Sequence, residues 1–345
     1  MNTDIILVRM LKLTAVFTIW LAVVSAAPAD PILRKLDPTL RFQHERDSTG
    51  KYHLVDMWMT LSDLAEANRY SPVTDNVYHL FTRANPTVSQ PMHTNSIGLL
   101  QASNYNNGRR TIVLIHGWRD SPISDSMVAL IPAFLAAEDL NVFVVDWTAA
   151  SDSINYPVVL SNAVESGRAI GHFINWLNEA TGSSPVQYHI VGHGLGGHQA
   201  GIAARTVVGD VAYVTGLDPS MVGWINHSDR FSPNDGSYTE VIHTNCGVNG
   251  YISDLAQVDF YPNGGESMPG CDSHACDHAR SYFYFAESIT TGGFTGRQCV
   301  NYLAAVLQTC NVLPGTLQMG GLRPKYGSSG VYLVWTNAAP PFSLN

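Results

Sequence analysis

Residues 187–207, QYHIVGHGLGGHQAGIAARTV, constrain the fold more than any other stretch of this chain. The apolar run 187–192 reads as a buried strand and 198–207 as a helix. A strand that stops at Gly192 and restarts as a helix at about Leu195 leaves room only for a very sharp turn. Gly192 and Gly196 remove Cβ atoms where strand and helix would otherwise collide. The apex, Gly194, is expected in strained backbone geometry at the edge of a sheet.

The flanking sequence repeats the alternation. TIVLIHG (111–117), NVFVVDW (141–147), VAYVTGLD (211–218) and TEVIHTN (239–245) read as further strands. MVALIPAFLAAED (127–139) suits a helix with Pro132 as a blemish. Leu160, Ala163, Val164, Gly167, Ile170, Ile174 and Leu177 line one face of another, which Gly182 and Pro185 end. Strand and helix in turn predict a mostly parallel central sheet with helices on both faces, wound right-handedly. Residues 28–60 lack clear periodicity and read as an extended lead-in.

The turn has the spacing Gly-x-Ser-x-Gly of a serine-hydrolase elbow, with glycine in the central place. Glycine-rich strand-to-helix turns also bind anions, so the partners decide its meaning. Asp218 follows the next strand, in GLDP, and His278 comes later, in CDHARSYFYFAESI. Nucleophile, acid, base is the chain order of an α/β-hydrolase. The acid orients the imidazole, and the imidazole moves the nucleophile's proton to the leaving group.

Composition narrows the setting. The charged fraction is 14% and the net charge −9, which disfavours nucleic acid or an anionic membrane surface as partner. Arg9, Lys12, the apolar run 13–24 and small residues at 24–26 predict a signal peptide over 1–26, cleaved near Ala26 or Ala27. That run is too short to span a bilayer, and no later stretch is long and apolar enough for a transmembrane segment. A secreted, extracellular chain follows, with disulfides permitted among Cys246, Cys271, Cys276, Cys299 and Cys310. An odd count leaves one thiol over. Asn226-His227-Ser228 is a glycosylation sequon. Cys271, His274, Cys276 and His278 also have the outline of a zinc cluster, although the spacing is tight and export favours disulfides. His116, His193, His198 and His243 sit at element ends and read as packed or hydrogen-bonded side chains.

HGW (116–118), VDW (145–147), GHGLGGHQAG (192–201), TGLDPS (215–220), VIHTN (241–245), DFYPNGG (259–265) and the His278 segment together resemble the pancreatic-lipase family. That family includes insect lipases, phospholipases A1 and lipase-like yolk proteins. The resemblance runs from about residue 75 to 340. It implies a single α/β-hydrolase domain over 75–345, behind a lead-in at 27–74 and without a C-terminal β-sandwich. Residue by residue, it implies Asp218 as acid, His278 as base, and backbone N–H groups of Trp118 and Leu195 as the oxyanion hole. Gly194 stands in the nucleophile's place. It further implies the disulfides Cys271–Cys276, closing a short lid loop, and Cys299–Cys310, which leaves Cys246 as a buried, inert thiol. Calcium-binding members use acidic side chains where this chain has HSDRFSPNDGS (227–237). Arg230 and Asp235 fit, but His227 and Ser232 take places meant for carboxylates. No cofactor is therefore expected, calcium included.

Losing a triad nucleophile typically costs on the order of a million-fold in kcat. The leading expectation is a catalytically inactive or severely impaired lipase homologue that binds a lipid or fatty-acyl ligand or serves as a yolk-type or storage protein. The competing expectation is a weak carboxylic-ester hydrolase in which Asp218 and His278 activate water. A protein-interaction scaffold on the same surface is a third.

Overall fold

The computed structural model describes residues 41–47, 51–58, 60–67 and 69–344; the signal-like segment 1–26 lies outside them. Strands β1 (Phe42–Arg46) and β2 (Tyr52–Asp56) pair antiparallel. They give regular structure to part of the lead-in that shows no clear period in the sequence. The signal is weak because β2 is largely exposed and Val55 is its one buried residue.

The main sheet has eleven strands. They are β3 (Val77–Phe81), β4 (Gln90–Met92), β5 (Thr111–Ile115), β6 (Asn141–Asp146), β7 (Tyr188–His193) and β8 (Tyr213–Leu217). β9 (Thr239–Ile242), β10 (Val258–Pro262), β11 (Thr295–Cys299), β12 (Thr316–Gln318) and β13 (Gly330–Val334) complete it. Their order is β12-β11-β13-β10-β9-β8-β7-β5-β6-β3-β4. Neighbours from β6 to β13 run parallel. The outer strands on each side attach antiparallel.

The central strands β5, β7 and β8 are buried at every residue, as their continuous apolar runs require of a sheet covered twice. Two helix pairs do the covering. Val142 and Val144 of β6 pack in one core with Met127 and Phe134 of α1 (Asp125–Ala137) and Tyr282 and Phe285 of α4 (His274–Thr290). Phe143, between them in sequence, points the other way. Its ring meets Phe173 of α2 (Tyr156–Thr181) edge-on at 5.3 Å. Each fully buried aliphatic or aromatic side chain of this kind contributes roughly 1.5–3 kcal/mol.

Helix α2 also packs on α3 (Leu195–Thr206), and glycine sets the distance. A Cβ on Gly171 would stand 2.5 Å from Thr206 Cβ, and one on Gly167 2.9 Å from Ile202 Cβ. The α2 positions singled out by periodicity are buried, apart from half-buried Leu160. Gly182 ends the helix with φ of 74°. Helix α1 runs through Pro132 unbroken. This is a single-domain α/β-hydrolase fold.

Candidate active site

The turn between β7 and α3 has no loop at all: β7 ends at His193, Gly194 caps α3, and Leu195 is its first residue. Such compression works only without side chains. A Cβ on Gly192 would lie 1.8 Å from Gly196 O, and one on Gly196 2.3 Å from Ile115 O. Gly194 has φ 57° and ψ −119°, a conformation that strains any L side chain. Its carbonyl accepts the N–H groups of Gly197 at 3.0 Å and Ser220 at 3.2 Å. Its N–H donates to Leu217 O at 3.1 Å.

Asp218 follows β8 on a positive-φ turn (φ 45°) and is fully buried. Its Oδ1 accepts the backbone N–H groups of Thr244 (2.8 Å) and Asn245 (3.1 Å). Its Oδ2 accepts Nδ1–H of His278 at 2.6 Å. A Cβ on Gly250 would fall 2.1 Å from Oδ1, so that glycine holds room for the carboxylate. His278 lies in α4 and is 6% exposed. With Nδ1 fixed by the acid, Nε2 faces the elbow, 3.2 Å from where a Cβ on Gly194 would sit. The pair is thus oriented for proton transfer at the apex, where this chain carries no hydroxyl.

The oxyanion candidates border the same place. Leu195 opens α3, so its N–H has no partner within the helix. Trp118 follows β5 by way of His116 and Gly117, and a Cβ on Gly117 would stand 3.3 Å from His193 O. The Trp118 ring is enclosed, edge-on to His53 (5.5 Å) and Tyr156 (5.2 Å), with its indole N–H on Ser153 O. At 5% exposure it has little surface to offer a lipid. His193 is buried, its ring nitrogens meet no hydrogen-bond partner among the described residues, and burial, then the neighbouring His278, holds it well below the ordinary imidazole range. It lines a cleft of about 670 Å³ together with Arg119, Asp120, Asp152, Arg280 and Tyr282. The disulfide-closed loop 271–276 forms part of the rim: Cys271 and Cys276 are bonded to each other across four residues.

With this geometry in hand, comparison with known proteins is direct. A family model described as "Lipase" matches residues 56–326. The chain belongs to the lipase family. Human pancreatic triacylglycerol lipase is 31% identical over 289 residues, covering 74% of this chain and 62% of that protein. Pancreatic lipase-related protein 2 of Myocastor coypus is 31% identical over 261 residues, covering 67% and 55%. The chain therefore spans between about half and two thirds of the length of these relatives.

The remaining sequence expectations sort by geometry. Cys299 and Cys310 are bonded, and Cys246 is buried and unpaired, its thiol pushed well up by burial. The zinc outline fails because both sulfurs are joined and His278 is committed to Asp218. His116, His193, His198 and His243 are all buried. Asn226 is exposed.

The 227–237 loop holds a cation of a different sort. The Arg205 guanidinium meets both oxygens of Asp235 at 2.9 and 2.8 Å and donates to the carbonyls of Asp229 and Arg230. With these acceptors taken by the guanidinium, and with His227 and Ser232 where carboxylates would be needed, the residues present do not fit a calcium ion. Sequence reasoning missed Arg205, and it missed Ser220, whose Oγ lies 3.6 Å from the point a Cβ on Gly194 would occupy. The first is a single arginine near a helix end. The second is the last letter of TGLDPS, valued for its aspartate.

Proposed function

We propose that this protein is an exported lipase-family member that holds an acyl lipid in its cleft and does not turn esters over. The observation that carries the reading is Gly194: Nε2 of a correctly oriented imidazole faces the apex, and the apex bears no hydroxyl. In this reading Asp218 and His278 are the family's acid and base, and Trp118 and Leu195 lend their N–H groups to a bound carbonyl. The pair persists because half of a buried hydrogen-bonded couple is costly to remove. Export is supported by the two disulfides, the exposed sequon at Asn226 and the signal-like residues 1–26. A storage or yolk-type role is the physiological form this reading takes. Mass spectrometry of lipids extracted from the native secreted protein tests it, with a defined acyl lipid near one per chain as the expected result and no bound lipid as the contrary one.

A second reading has its own observation. The His278–Asp218 bond at 2.6 Å leaves Nε2 free to activate water. A weak carboxylic-ester hydrolase would then show slow multiple turnover of p-nitrophenyl esters or phospholipids that His278→Ala abolishes.

A further inference from the structure

Two polar groups border the space that Gly194 vacates. One is Nε2 of His278; the other is the hydroxyl of Ser220, at 3.2 and 3.6 Å from the same missing Cβ. Ser220 is held there by its backbone. Its N–H donates to Gly194 O, its carbonyl accepts Nε2–H of His198 at 2.7 Å, and it bridges to Gly250. These bonds tie the turn after Asp218 to the elbow, so residue 220 stands beside residue 194 although 26 positions separate them. The side chain is half-buried, and among the described residues no hydrogen bond uses its Oγ. A serine oxygen with no structural task, at the mouth of an oriented acid–imidazole pair, is a group that can react.

We propose that Ser220 supplies the hydroxyl that Gly194 lacks, accepting an acyl group from an ester held in the cleft. The inference rests on the reading that the cleft takes acyl ligands and adds the residue that would hold one covalently. In the step, Oγ of Ser220 bonds to the acyl carbon and gives its proton to Nε2 of His278. The bond from the acyl carbon to the alcohol oxygen then breaks, and that oxygen takes the proton from Nε2. The products are acyl-Ser220 and a free alcohol, with His278 returned to its starting state. Because the oxygen enters from beside the apex rather than from it, attack is slow. The return attack by water uses the same base and the same N–H donors, so release is slow for the same reason. Acylation followed by release too slow for sustained turnover is the result.

The test uses the full secreted chain and an alkyl fluorophosphonate, which loses fluoride as phosphorus bonds to a reactive hydroxyl. Peptide mass mapping is expected to find one phosphonyl group on Ser220. Labelling should vanish in Ser220→Ala and slow on the order of a hundredfold in His278→Ala, the usual worth of a general base. Unchanged melting temperatures show that both variants fold. Absence of label on the wild type, or label that survives Ser220→Ala, overturns the inference. A p-nitrophenyl ester separates this from the function proposed above. Bound lipid with no adduct on Ser220 sinks the inference and leaves that reading standing. Multiple turnover that disappears in Ser220→Ala keeps Ser220 as the acceptor and removes the non-turnover reading.

Discussion

The elbow and the 227–237 loop are two places where the family resemblance calls for a group this chain lacks, and they answer differently. In the loop, a cationic side chain sits among the acceptors. Arg205 offers its fork to Asp235 and to two carbonyls, so these acceptors are satisfied within the chain. At the elbow no side chain occupies the gap itself. Nε2 of His278 and Oγ of Ser220 both border it, and the ring of His193 lies beside that of His278. The difference is physical. Uncompensated charge in the loop would cost stability, so Asp235 is held by a charged partner. A missing hydroxyl at a positive-φ apex costs the fold nothing, because glycine suits that backbone better than serine.

Filling the gap should produce the largest effect. Gly194→Ser is expected to raise p-nitrophenyl ester turnover on the order of a thousandfold or more, out of the roughly million-fold a nucleophile is worth. The imidazole must move slightly, since the new Cβ comes within 3.2 Å of Nε2. An unchanged rate would mean that the elbow has lost more than one oxygen. Emptying the loop attacks the other half of the contrast. Arg205→Ala leaves Asp235, 2% exposed, without its partner, and the urea midpoint should report a loss of about 3 kcal/mol. A loss below about 0.5 kcal/mol would make Arg205 an ordinary surface charge.

Smaller effects sharpen the comparison. Gly250→Ala places a Cβ 2.1 Å from Asp218 Oδ1, and about 2 kcal/mol of stability should go with the displaced carboxylate. His198 connects the two regions, donating to Ser220 O and accepting Phe231 N–H at 3.0 Å. Burial lowers it to about 3 from an ordinary 6.5, so it stays neutral in the folded chain. The unfolded chain takes up that proton below pH 6.5. The contribution is therefore complete above pH 6.5 and is lost as pH falls toward 3, by up to about 1.4 kcal/mol per pH unit. Denaturant melts of wild type and His198→Gln between pH 4 and 7 should differ in slope by that amount. Equal slopes would refute the link.

How much of this was legible beforehand follows from distance along the chain. The collisions that demand Gly192 and Gly196 lie within a few residues of each other, and Asp218 and His278 announce themselves by their order after the turn. The parallel sheet is visible because β5, β7 and β8 are apolar throughout. Arg205 and Ser220 are not legible, because each acquires its meaning from residues some 30 and 26 positions away. Their side chains fit solvated surface equally well until the turn at Asp218, with φ 45°, folds one loop back on the elbow. The β1–β2 pair escapes notice for the opposite reason: β2 buries only Val55, so no period shows.

In the proposed function, an oriented imidazole with no hydroxyl at residue 194 does not turn esters over. Counting p-nitrophenol released per molecule of the wild-type protein, over hours and against His278→Ala, tests this most directly. At most a single equivalent is expected, followed by the uncatalysed rate. Sustained release of many equivalents, lost when His278 is replaced, would contradict it.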